Sequence, residues 1–196
     1  MNFIRHYWKT ALAVLGVVAA TATIELWMGR SPLGPDGRFG WWEPSVWSDE
    51  NSQRVADAYT FSHIAHGLIF YWFLWLVARK LSVRARLVWA AIIEAGWEIL
   101  ENSPIIIDRY RAVTISIGYV GDSVLNSSMD VVFAALGFLF AWKFPTWASV
   151  ALILVMEIGC LLWVRDNLTL NVIMLVYPLE SIKAWQAAGA PAGLGI

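Results

Sequence analysis

Apolar stretches of membrane-crossing length recur along this chain, and they leave few folds open to it. A bilayer core offers no hydrogen-bond partner to the backbone, so each such stretch must be helical or part of a closed barrel. The runs here are unbroken rather than alternating, which selects helices. Six are expected, over about residues 10–28, 60–78, 87–101, 121–142, 146–164 and 168–180. The fold class is therefore an all-α polytopic membrane helical bundle in one domain of 196 residues. Composition agrees: 59% of residues are hydrophobic and 15% charged, against about half and a quarter in soluble domains. Thirteen Trp and six Tyr suit membrane interfaces. A net charge of −1 provides no basic footprint for nucleic acid. A single cysteine, Cys160, excludes an intrachain disulfide and a Cys-based metal site.

The first run contains Ala20-Thr21-Ala22, which has the small-residue character of a signal-peptidase site. Apolar residues continue past it to Met28, so the reading favours a retained span. Residues 29–58 are polar and rich in Pro, Gly and Trp, and read as an ordered periplasmic loop touching the interface. Pro104 ends the third span, and a short polar loop follows with Asp108, Arg109 and Arg111. Residues 187–196 read as a flexible tail. Six spans place both termini on one side. With both cytoplasmic, Lys9, Lys80, Lys143 and Lys183 all lie inside, so the expected topology is N-in and C-in in a bacterial inner membrane.

That orientation gives each intramembrane polar residue a depth. Glu94, Glu98 and Glu101 stack on one face of the third span at its outer end. His63 and His66 occupy the first two turns of the second, and Asp122, Asn126 and Asp130 form a stripe at the start of the fourth. Arg165, Asn167 and Asn171 lie around the outer ends of the fifth and sixth. The inner half is nearly free of such groups. Buried acids and histidines are expensive in a bilayer, so this asymmetry predicts a shared polar cavity in the outer half.

Several residues carry two readings. His63 and His66, one turn apart, fit one divalent metal such as zinc, manganese or iron; hydrogen bonds to the facing acids satisfy them equally. Asp122 is a cavity acid or simply an N-cap within Gly121-Asp122-Ser123. Arg109 and Arg111 bind a lipid phosphate, or neutralise Glu101 and Asp108.

The segments Tyr59–Gly67, Glu94–Arg111, Gly121–Asp130 and Arg165–Glu180 together resemble a family of small multi-pass bacterial inner-membrane proteins of unknown function. The resemblance covers nearly the whole chain; it implies a plasma-membrane location and supplies no activity. A looser resemblance, in a few spaced polar residues, connects the acid helix, the Gly121-Asp122-Ser123 turn and the Asn/Asp helix to VanZ-like membrane proteins of the cell envelope.

Three functions remain open. The first is a metal-assisted hydrolase or transferase acting on a membrane lipid or lipid-linked envelope molecule. His63 and His66 hold the metal with Glu98 or Asp122, Glu94 or Glu101 serves as general base or acid, and the arginines hold a head group. Asp130, Asn126, Arg165, Asn167 and Asn171 complete the catalytic and substrate-binding candidates. The second is a non-catalytic ion-binding, ligand-binding, transport or envelope-assembly protein. In the third, the polar network only fixes helix packing.

Overall fold

A computed structural model describes residues 2–191, with side chains from Trp8 onward. The basic side chains of Arg5 and His6 and residues 192–196 of the expected tail lie outside this description. The described residues form eight helices and no strand: α1 (Asn2–Trp27), α2 (Thr60–Val77), α3 (Val83–Glu101), α4 (Pro104–Val113), α5 (Val124–Lys143), α6 (Thr146–Val164), α7 (Leu168–Val176) and α8 (Glu180–Ala187). α1 from Trp8, α2, α5 and α6 are long and apolar enough to cross a membrane. On the outer faces of α1 and α6, Leu12, Leu15, Val155 and Leu162 are more than half exposed. Such a band has a natural partner in lipid. α3 is as long as α6 but carries Arg84, Arg86 and the three acids; it earns its place by packing against α1, α2 and α5.

Local chemistry sets several helix starts. Ser82, Ser123 and Asn167 each accept from the N–H three residues on and cap α3, α5 and α7. The α3 cap starts that helix at Val83, one turn before the predicted boundary. Pro104 does end the third run, but as the first residue of α4 rather than of a loop. The Asp122 capping alternative fails, because Ser123 fills that position.

α2 and α5 form the closest pair. They run in the same direction, with His63 facing Asp130 near their starts and Tyr71 on Phe138 two turns further. A Cβ on Gly67 would overlap the carbonyl of Ala134, and one on Gly137 the carbonyl of Ile64. Only glycine permits this approach, and it is what brings the histidine face of α2 onto the acid face of α5. α1 completes the bundle by laying Val14, Val17 and Val18 on Ala91, Ala95 and Val131.

Residues 28–59 pack over the start of α5. The N–H groups of Val124 and Leu125, which the helix cannot satisfy itself, donate to the carbonyls of Ser31 and Pro32 (2.9 and 3.2 Å). Ser123 Oγ and Asn126 Nδ2 return the favour to the carbonyls of Gln53 and Arg54. Asp57 accepts from the N–H groups of Ser52, Tyr59 and Thr60 and fixes the turn into α2.

The C-terminal region departs from the expected sixth span. α7 has nine residues and reaches about 13 Å, too little to cross. The backbone turns at Arg165, in the left-handed region at φ 56°, and folds back against α6. There the N–H groups of Leu168 and Thr169 donate to the Glu157 carboxylate. α8 then docks at the same end as the long loop, with Gln186 on Asp166 and Lys183 on the carbonyl of Ala112. The first and last described residues consequently lie at opposite ends of the bundle. This replaces the predicted arrangement with both termini on one side, because that arrangement needs α7 to cross.

Candidate functional site

The polar residues of α2, α3 and α5 converge within two turns of the loop end. Glu94 and Glu98 are fully buried. One Glu94 oxygen lies 2.6 Å from Nδ1 of His63 and 3.0 Å from Nδ1 of His66. Nδ1 of His63 is also 3.2 Å from Glu98, and its Nε2 is 3.7 Å from Asp130. Three overlapping groups of ligand atoms result, each with its atoms within 4.8 Å of one another: His63, His66 and Glu94; His63, Glu98 and Asp130; and Glu98, Glu101 and Asp122. The shared polar cavity expected from the depth pattern is present.

It has a volume of about 470 Å³. His63, His66, Glu101, Asp122, Asn126 and Asp130 reach its surface, while Glu94 and Glu98 stand behind them. Apolar side chains complete much of the lining: Phe70 of α2, which stacks on His66 at 5.7 Å, Ile93, Trp97 and Leu100 of α3, and Val172 and Leu175 of α7. The chamber therefore combines charge and ligand atoms with apolar surface suited to hydrocarbon.

The remaining candidates play more structural parts. Arg109 donates twice to the carbonyl of Leu175 and ties α4 to the end of α7. Arg111 is largely exposed, bonded to the carbonyl of Tyr119 and 3.5 Å from Asp108. Arg165 donates to the carbonyl of Trp185. None of these three guanidinium groups lines the cavity. Asn167 caps α7 and reaches the Glu157 carbonyl, and Asn171, on the cavity wall, donates to Asp166.

Sequence reasoning missed a second layer of polar groups. Asn102, fully buried, accepts from the N–H of Asp122 at 2.7 Å. Its amide nitrogen faces Ser127 at 2.9 Å, Glu25 at 3.3 Å and Asp122 at 3.4 Å. Glu25 is fully buried near the end of α1. Tyr119 donates to Asp122, and Tyr59 to Asp166. An acid one turn from the end of an apolar run is the signal that would have found Glu25. The tyrosines lie in irregular segments and leave no periodic trace.

A bundle of apolar helices around a buried histidine–carboxylate cluster defines an integral membrane protein with a polar site inside the bundle. The chain belongs to the family described as protein of unknown function (DUF2585), which matches residues 25–188. Relatives named UPF0314 proteins are 55% identical in Agrobacterium fabrum (82% of this chain, 81% of that one), 50% in Paracoccus denitrificans (93% and 92%) and 51% in Novosphingobium aromaticivorans (91% and 93%). The expected membership of an uncharacterised bacterial family is thus met. No solved structure matches the chain.

Proposed function

We propose that this protein is a metal-dependent hydrolase or transferase of the bacterial inner membrane, acting on a lipid or lipid-linked molecule of the cell envelope. One observation carries the reading: two histidines that line a partly apolar chamber have ligand atoms close to each other and to those of a buried carboxylate behind them. Two imidazoles and a carboxylate form a donor set suited to zinc, manganese or iron. The fit is supported by Asp130, whose Oδ1 is buried without a hydrogen-bond partner next to that set. A bound divalent metal would supply Lewis acidity toward a carbonyl or phosphoryl oxygen.

The chain's own groups divide the remaining work. His63, His66 and Glu94 hold the metal. Asp130, on the cavity surface with one oxygen free, is placed to accept or return a proton. Phe70, Trp97 and Leu100 hold the hydrocarbon part of the substrate and exclude water. The test is to incubate the detergent-purified protein with a lipid extract of its host, with added metal, and to follow lipid classes by mass spectrometry. One class should be consumed by the wild type and spared by His66→Ala. An extract unchanged under every metal tested overturns the reading.

One feature favours a second reading. The contacts from His66 through Glu94 and His63 to Asp130 form a continuous chain of ionisable groups, as an ion-binding or proton-coupled transporter would use. Ion flux in proteoliposomes without lipid turnover would select it.

A further inference from the structure

We propose that Glu98, Glu101 and Asp122 form a second cation site, for a hard divalent ion of the magnesium or manganese class, beside the histidine-bearing one. It rests on the reading above only in calling its neighbour a metal site, with which it shares no residue. The ligand oxygens of the three carboxylates lie within 4.8 Å of one another.

The independent observation is Glu98. Its side chain is fully buried and neither oxygen has a hydrogen-bond partner. The nearby Nδ1 of His63 carries at most one hydrogen, and Glu94 at 2.6 Å takes it ahead of Glu98 at 3.2 Å. A buried carboxylate needs a partner for its lone pairs, and a ligand oxygen of Glu98 lies within 4.8 Å of those of Glu101 and Asp122.

One of the other two ligands is already oriented from behind: Asp122 is hydrogen-bonded by the Tyr119 hydroxyl and faces the Asn102 amide. These hydroxyl and amide groups carry no charge. They fix the carboxylate without neutralising it, as outer-shell groups do around metal ligands. The ligand set is all oxygen, so it selects hard cations rather than zinc. Glu101 and Asp122 both face the cavity, which leaves room for the water ligands that magnesium and manganese retain.

The experiment is a Mn²⁺ titration of the full-length protein in detergent, with bound ion counted by electron paramagnetic resonance. The wild type should bind two equivalents and His63→Ala/His66→Ala one. Glu101→Gln and, as an independent variant, Asp122→Asn should each lose one equivalent while keeping the histidine-dependent one. Size-exclusion and thermal melting profiles identify variants that fold. A wild type binding one equivalent that disappears with the histidines overturns the second site and leaves the proposed function standing. One equivalent that survives histidine removal and vanishes in Glu101→Gln supports the second site and removes the histidine metal. Two equivalents unaffected by Glu101→Gln and Asp122→Asn, or none in any folded variant, overturn the proposal.

Discussion

Asn102 shows how a single side chain orders this site. Its carbonyl fixes the backbone of Asp122, and its amide stands among Glu25, Asp122 and Ser127. Asn102→Ala leaves the Asp122 N–H and the surrounding acceptors without their donor or acceptor inside the bundle. Each orphaned buried group costs about 1–3 kcal/mol, so the variant should lose at least that much stability in detergent unfolding. An unfolding midpoint equal to wild type would show that Asn102 is replaceable. Asp166 provides a pH-dependent counterpart at the loop end. Burial pushes its carboxyl up to about 6 from an ordinary 3.8, against hydrogen bonds from the Asn167 N–H, Tyr59 and Gln186 that pull it down. A raised carboxyl binds its proton more tightly in the folded state. Its charged form therefore opposes folding above about pH 6, and that opposition fades as pH falls toward the unfolded value. Amide exchange in α8, corrected for intrinsic rates, should slow between about pH 7.5 and 5 in the wild type, and Asp166→Asn should remove that dependence. Protection that weakens in the wild type over this range contradicts the assignment.

Among the helices, the α2–α5 crossing and the start of α7 are the sensitive points. Gly67→Ala or Gly137→Ala places a methyl group against a facing backbone carbonyl, which has no rotamer with which to yield. The helices must separate, at a cost of about 1–3 kcal/mol or more. His63 and Asp130 would part with them, so metal binding should weaken together with stability. Gly96→Ala on α3, with open space around its Cβ position, should be tolerated and serves as the control. Glu157→Gln tests α7. Its carboxylate takes the N–H groups of Leu168 and Thr169 and the Thr169 hydroxyl, and loss of its charge at a helix N-terminus costs about 0.5–2 kcal/mol. Exchange at those two amides should quicken while α5 stays unchanged. The helices themselves were largely legible, because unbroken apolar runs and Ser or Pro punctuation mark them. The convergence of His63, Glu94, Glu98 and Asp130 was legible too, since helical spacing and an alternating path through the membrane fix depth. α7 was not. Its apolar residues match those of a crossing helix; Pro178 marks where it stops, but its start against Glu157, which folds it back, is set by a tertiary partner that no local pattern announces.

At the scale of the whole molecule, the turn at Arg165 decides sidedness. Single cysteines at Ser48 and Ala188, in a Cys160→Ser background, should react with an impermeant maleimide from one side of the membrane, and a cysteine at Lys143 from the other. Labelling of the Ser48 and Ala188 positions from opposite sides would restore a crossing α7 and refute the folded-back arrangement. The same architecture keeps three lysines, Lys9, Lys80 and Lys143, at the end away from the cavity, and ties the fourth to α4 at the cavity end. The carbonyls of Ser31 and Pro32, which complete the first turn of α5, leave the ribosome more than ninety residues ahead of the amides they serve. The segment carrying them therefore lacks these partners until α5 has been made, and takes its final shape only once that helix has been inserted. Nascent chains arrested before Val124 should present that segment to an added protease, and chains arrested well beyond Lys143 should hide it. Assembly of the cavity is thus a late event in the life of each chain, timed by the arrival of one helix.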